Sequence, residues 1–168
     1  MLFETERLYI RQLESTDIDP FFEMQGNPNV LKYVSTPPDT RDSCVQQLVD
    51  LRAAYHQAKP HLLVWAVIRK SDEAFVGTAA LVHYENGDNE IGYRFLERHW
   101  GNGYGAEVAN GLIDYGMDTL KLANIVAYVD KNNFASVKIL DRSVLPFIKE
   151  YFNKDDNCID RMYKWIRR

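Results

Sequence analysis

Cysteine is scarce in this chain. Cys44 and Cys158 are the only two among 168 residues. They lie far apart with no C-x-x-C or Cys/His spacing, which excludes a disulfide framework, a zinc finger and a dithiol redox pair and predicts a reducing compartment. A positive excess is also missing. Twenty Lys and Arg against 24 Asp and Glu leave a formal charge of −4, so no basic face is expected for a phosphate backbone, and a nucleic-acid partner is excluded. No run approaches the roughly 18 apolar residues of a membrane span. The opening MLFETERLYI carries acids and an arginine where a secretory leader would have a basic lead and an apolar run. These absences predict a cytoplasmic protein with no membrane partner. His56, His61, His83 and His99 have no ligand-spaced partners, so no metal is assigned.

What is present suffices for one core: 46% of the residues are hydrophobic, and the chain has no repeat or linker, so 1–168 reads as a single domain. Residues 7–13 alternate with a period near two, with Leu8, Ile10 and Gln12 on one side, and predict a strand. A hydroxyl of Ser15 or Thr16 is expected to cap a short helix that buries Ile18, Phe21 and Phe22. The prolines of Asn27-Pro28-Asn29 and Thr36-Pro37-Pro38 break the chain. A second helix follows, capped by Asp39 or Thr40, with Cys44, Val45, Leu48, Val49, Arg52 and Tyr55 at helical spacing. Residues 63–68, 74–84 and 89–95 are rich in Val, Phe, Tyr and Ile, and Asn86-Gly87 favours a tight hairpin, which predicts an antiparallel meander. Beyond a glycine-rich turn come a helix through Val108, Ala109, Leu112, Ile113, Met117 and Leu120, a parallel strand at 124–129, a short helix at 134–140, and strands at 147–152 and 159–166.

The segment Arg98-His99-Trp100-Gly101-Asn102-Gly103-Tyr104-Gly105-Ala106-Glu107 carries the most chemical information. Glycines at alternate positions between a strand and a helix let the backbone turn sharply and aim several N–H groups at one point by the positive end of the helix dipole, a phosphate-binding arrangement. Arg98 could add a charge-assisted bond to the same anion. The same glycines also serve a plain strand-to-helix turn. Gly101, Gly103 and Ala106 further satisfy G-x-G-x-x-G/A, with Asp130 at ribose distance, yet that fingerprint belongs at the start of repeated strand-helix units and not after a meander.

These residues resemble the GNAT N-acetyltransferase superfamily, in particular the branch of ribosomal-protein alanine N-acetyltransferases (RimJ/RimL-like). Arg98, Gly101 and Gly103 match the family's acyl-CoA motif, Arg or Gln, two residues, Gly, one residue, Gly or Ala, and Tyr104 with Gly105-Ala106-Glu107 extends it. Glu90-Ile91-Gly92-Tyr93 is similar to the end of the family's fourth strand, Asn133 and Ser136 to its Asn-x-x-Ser segment, and TERLYIRQLESTDIDPFFEMQGNPNVLKYV to the start of this branch. The resemblance implies an α/β fold with a mostly antiparallel sheet of six to seven strands, a parallel splayed pair within it, and about four flanking helices. It also implies acetyl-CoA as cosubstrate and an amine, a peptide N-terminus or a small molecule, as acceptor, in a monomer or homodimer.

On that likeness, the backbone at Gly101, Asn102, Gly103, Tyr104, Gly105 and Ala106 would hold the pyrophosphate. The strand through Phe95 and Leu96 would pair with the pantetheine arm, and Asn133 would touch it. An ammonium has no lone pair and a departing thiolate benefits from a proton, so a base and an acid are expected. Glu90 is the candidate base, against a plain solvated carboxylate at a hairpin end. Ser136 is the candidate acid, against a hydroxyl bonding to its helix. Tyr93 is a candidate to orient the acceptor, against a packing role. A free N–H near Phe95 is the candidate oxyanion donor.

Two departures from the family are visible. Leu140 stands about where many members have a tyrosine, and 141–146 lacks the glycine of the usual turn after that helix, leaving the turn to Pro146 or to another device. A module that binds acyl-CoA without turnover is therefore a second reading, and a nucleotide-dependent oxidoreductase a third.

Overall fold

The structure is a computed structural model that describes residues 1–34 and 36–168. Eight strands form one sheet in the order β1-β2-β3-β4-β5-β6-β8-β7. They are β1 (Phe3–Glu4), β2 (Leu8–Gln12), β3 (Leu62–Arg69), β4 (Ala74–His83), β5 (Asn89–Phe95), β6 (Asn124–Asp130), β7 (Phe147–Asn153) and β8 (Cys158–Ile166). Four α-helices flank it: α1 (Ile18–Gln25), α2 (Arg41–Ala54), α3 (Tyr104–Asp114) and α4 (Phe134–Leu140). The mixed α/β architecture and the mostly antiparallel sheet are those expected. The count is eight rather than six or seven. The strand that sequence reading missed is the two-residue β1, too short to show a period; Phe3 packs 5.3 Å from the Tyr115 ring and fills the space left by Gly111, where an added Cβ would lie 2.6 Å from Phe3 Cε2.

The two faces of the sheet are covered unequally, and that places the site. Leu8, Ile10, Trp65, Val67, Ile91, Phe95, Ile125, Ala127 and Val129 form one buried cluster with Val108, Leu112 and Ile113 of α3 and Leu140 of α4. Leu13, Phe21, Met24, Cys44, Leu48, Ala66 and Ile68 form a second cluster under α1 and α2. Alternation sends Ile91, Tyr93 and Phe95 of β5 to the α3 side and Glu90, Gly92 and Arg94 to the other.

Every pair of neighbouring strands is antiparallel except β5 and β6, which run parallel and register at a single pair, Glu90 with Val126. The closed end of this splay is stitched by side chains. Asn124 Oδ1 accepts from the Asn89 N–H at 3.1 Å, Asn124 Nδ2 donates to Gly87 O at 2.9 Å, and Asn89 Nδ2 donates to Asn124 O at 3.2 Å. Lys164 of β8 adds an ion pair of 2.6 Å to the buried Asp88.

One local expectation is corrected, and one choice left open is resolved. The first helical turn is not capped by Ser15 or Thr16; the Asp17 carboxylate accepts from the Glu14 N–H at 2.8 Å and is pinned by Arg11, so a charged group takes the place of the hydroxyl. The turn after α4 is not made by Pro146. Ser143 makes it, donating its hydroxyl to Leu140 O at 2.8 Å and accepting from the Leu145 N–H at 3.1 Å, which needs no left-handed residue. Thr40 does cap α2, accepting from the Ser43 N–H. No helix among the described residues is long and apolar enough to cross a membrane.

Candidate active site

The glycine segment forms a tight turn between β5 and α3. Gly101 and Gly103 have φ of 77° and 81°, in the left-handed region where a Cβ costs energy, and Gly103 stands at the N-cap of α3. Among the described residues, no backbone carbonyl accepts from the N–H groups of Gly101, Asn102 or Gly103, and the first N–H groups of α3 are orphans by helix geometry. Asn102 fixes the turn by donating to His99 O and Trp100 O at 3.0 and 3.2 Å.

The turn is braced from the far end of the chain, which sequence reading did not foresee. Arg7 donates from Nη1 to Asn102 O at 2.9 Å and from Nε to Glu107 Oε2 at 2.8 Å, and its guanidinium lies 4.9 Å over the Tyr104 ring. Glu107 Oε1 also accepts from the Arg7 N–H at 2.8 Å and the Thr5 hydroxyl at 2.5 Å. Burial opposes ionisation of Glu107, yet these bonds prevail and hold its carboxyl below the ordinary value. Arg98, expected at the anion, pairs instead with Glu23 of α1; both side chains are about half exposed, so the pair constrains Arg98 weakly.

A cleft of about 1900 Å³ runs from this turn along the splay, lined by Gly101, Gly103, Phe95, Glu90, Asn133 and Ser136 among others. The open edge of β5 follows from hydrogen-bond alternation. The Leu96 N–H donates to Val76 O on β4, while Phe95 O accepts from Trp100 Nε1 at 3.0 Å on the opposite edge. The N–H groups of Tyr93 and Phe95 therefore face the gap where β6 has diverged.

Glu90 and Ser136 stand on opposite sides of that gap. Burial raises the Glu90 carboxyl above its ordinary value, the Tyr84 hydroxyl at 2.6 Å opposes the shift, and the charge of Asp160 adds to it. Asp160 is itself buried and among the described residues receives neutral donors: Asn153 Nδ2 at 2.8 Å, Cys158 Sγ at 3.3 Å and Tyr151 Oη at 3.4 Å. Tyr93 sits on the α3 side with Ser136, not on the Glu90 side. Burial raises its phenol with Ser136 opposing, and no group meets its hydroxyl in hydrogen-bond geometry among the described residues. Its ring packs beneath Gly105, where a Cβ would lie 2.8 Å from Ile139 Cδ1 and 3.6 Å from Tyr93 Cε2. Asn133 Oδ1 caps α4, accepting from the Ser136 N–H at 3.3 Å, and the residue lines the cleft. Leu140, the family-tyrosine position, is buried in the core.

The Cys158 thiol is pushed up to about 12, by burial first and then by Asp160, so it stays protonated and unsuited to carry an acyl group. Among the described residues no three His, Cys, Asp or Glu side chains converge to hold a metal. A second depression of about 760 Å³, lined by Arg11, Arg52, Tyr55 and His56, lies apart from the glycine turn.

Residues 7–143 match the family model for the acetyltransferase (GNAT) domain. The chain is 34% identical to the uncharacterized N-acetyltransferase p20 of Bacillus licheniformis over 90% of its own length and 84% of the relative's. Among solved structures it is similar to a GNAT-family acetyltransferase from Bacillus anthracis (TM-score 0.85, 21% identity, 97% and 96% of the two chains). It is also similar to RimL, a ribosomal L7/L12 alpha-N-protein acetyltransferase in complex with coenzyme A (TM-score 0.81, 14% identity, 96% and 95%). At these identities the structural likeness is one of fold. The dinucleotide alternative falls with them, because the glycine turn lies inside the single parallel β5–β6 crossover, which closes an antiparallel meander instead of opening a series of strand-helix units. A splayed pair ending in a glycine-lined helix N-terminus, together with a domain match over most of the chain, leads to one statement of kinship: this chain belongs to the GNAT family of acetyltransferases.

Proposed function

We propose that the chain is an N-acetyltransferase that moves the acetyl group of acetyl-CoA onto an amine, a peptide N-terminus or a small molecule, by direct attack in a ternary complex. The observation that carries this reading is the open β5 edge, which leads from the unsatisfied N–H groups at α3 to a base on one face and hydroxyls on the other. The N–H groups of 101–106 hold the pyrophosphate, with Arg98 recruited from its exposed pair with Glu23. The free edge of β5 pairs with the amides of the pantetheine arm as an added strand, and Asn133 donates to the same arm. RimL, solved with coenzyme A, shares the fold.

Glu90, directly or through a water, takes the proton of the ammonium, and its raised proton affinity suits that task. The amine attacks the thioester carbon, an open-edge N–H of β5 near Phe95, that of Tyr93, stabilises the oxyanion, and the C–N bond forms as the C–S bond breaks. The thiolate leaves toward Ser136 and Tyr93, one of whose hydroxyls gives it a proton in place of the tyrosine that Leu140 replaces and is restored through water by the second proton released from the new amide nitrogen. An unpartnered buried Tyr93 hydroxyl beside Ser136 favours turnover over the binding-only reading.

Thermal shift with acetyl-CoA tests the cofactor half: at one hundred times its dissociation constant it should add about 2.7 kcal/mol of stability. Gly103→Asp, which puts a carboxylate at the phosphate position, should abolish the shift. Release of free thiol across a panel of amines tests the transfer half. A shift that survives Gly103→Asp sinks the assignment of the loop, and binding without thiol release from any amine leaves the module that binds without turnover.

A further inference from the structure

Arg94 is a half-buried cation with no ion-paired carboxylate among the described residues. It projects from β5 on the Glu90 face and lines the cleft. Its guanidinium donates only to the neutral Gln25 Oε1 of α1, and no described carboxylate pairs with it. Asp39 acts on it from beyond ion-pair distance, with both oxygens already engaged by Ser43 Oγ at 3.0 Å and Gln47 Nε2 at 2.9 Å. Burial outweighs that influence and lowers the guanidinium from its ordinary value. A cation partly withdrawn from water without a carboxylate costs stability, and a ligand carboxylate arriving in the fork geometry of the guanidinium offsets that cost.

The opposite pole lies on the same strand and face. Glu90 forms it, with the buried Asp160 of β8 close by, and among the described residues neither carboxylate has a cation within ion-pair distance. Gly92 stands between the poles, where an added Cβ would meet nothing nearer than Ala80 Cβ at 3.8 Å, so the floor between Arg94 and Glu90 is low. Four residues of strand separate the two Cα atoms by about 13 Å, a gap that two long side chains narrow.

We propose that Arg94 binds a carboxylate of the acceptor, so that the substrate class of this cleft is an amine carrying its own carboxylate, with the amine seated toward Glu90. The proposal rests on the acetyl-transfer reading above. The assay uses α-amino acids, ω-amino acids of increasing length and dipeptides, each beside its own carboxamide, with spermidine as a cationic reference, and follows thiol release from acetyl-CoA. At least one carboxylate-bearing amine should exceed its carboxamide by about ten- to hundredfold in kcat/KM, the loss of one charge-assisted pair, mostly through KM. In Arg94→Gln that ratio should fall toward one, with Arg94→Lys between, and the melting temperature should not drop because the lost cation had no ionic partner. Equal rates for acids and carboxamides, a preference that survives Arg94→Gln, or spermidine outpacing every carboxylate-bearing amine would overturn the role of Arg94 while leaving acetyl transfer intact. If wild-type protein shows no thermal shift with acetyl-CoA, the transfer reading fails and this one with it.

Discussion

A carboxylate that must accept a proton from an ammonium near neutral pH works best when its own proton affinity is raised. Glu90 meets that demand because partial burial in the cleft disfavours its charge and Asp160 adds a like charge, while the Tyr84 hydroxyl only partly offsets both. The same environment has a stability consequence with a definite sign. With its folded pKa above the unfolded one, Glu90 favours the folded state while protonated, and that contribution is lost as pH rises through the folded pKa. At pH 7 the ionised carboxylate is therefore a burden. Glu90→Gln should lower kcat by about 10² to 10⁴, the usual worth of a general base, and remove the acid limb of the pH–rate profile. It should also raise the melting temperature over wild type at pH 7 and leave it nearly unchanged at pH 4. Rate profiles and melting curves at both pH values check this, and a variant that keeps the acid limb would remove Glu90 from the chemistry.

At the scale of elements, the cleft exists because β5 and β6 are joined at one end and free at the other. Asn124 is the clamp: its side chain bonds Gly87 O and the Asn89 N–H, the two partners that a continued parallel ladder would otherwise have to replace. Asn124→Ala should cost roughly 1 kcal/mol, since the half-buried Asn89 N–H loses its partner while the exposed Gly87 O turns to water, and chemical denaturation measures it. Acetyl-CoA affinity should weaken in the same variant as the splay angle loosens. The second device is Glu107, which gathers Thr5 and Arg7 onto the first turn of α3. Its folded pKa is depressed, so the brace contributes stability above the unfolded pKa and loses it as pH falls through the folded one. Glu107→Gln should therefore destabilise the protein at pH 7 but far less below pH 4. A destabilisation independent of pH would assign the brace to packing instead of charge.

Across the whole molecule, what the sequence discloses and what it hides divide by contact range. The meander, the parallel return to β6 and the helix after the glycines are legible because each is a local period, and the turn at 101–105 because only glycine suits φ values of 77° and 81°. The Arg7–Glu107 brace spans 100 positions and the Asn89–Asn124 clamp 35, and no local pattern encodes such pairs. Arg94 was equally hidden. Alternation assigns it a face, but only the tertiary structure reveals that no described carboxylate pairs with it there. The same alternation makes a test of how the two halves of the sheet receive a ligand. If an added pantetheine strand fills the gap, acetyl-CoA should slow amide exchange at Tyr93 and Phe95, whose N–H groups face β6, and at residues 101–106. The amides of Gly92, Arg94 and Leu96 already point at β4, as the Leu96 bond to Val76 O shows, and should change little. Hydrogen exchange followed by NMR resolves single residues and so reads the odd-even pattern directly. Protection spread evenly along β5 would mean that the ligand tightens the sheet as a whole, and protection confined to the even positions would place it on the wrong edge.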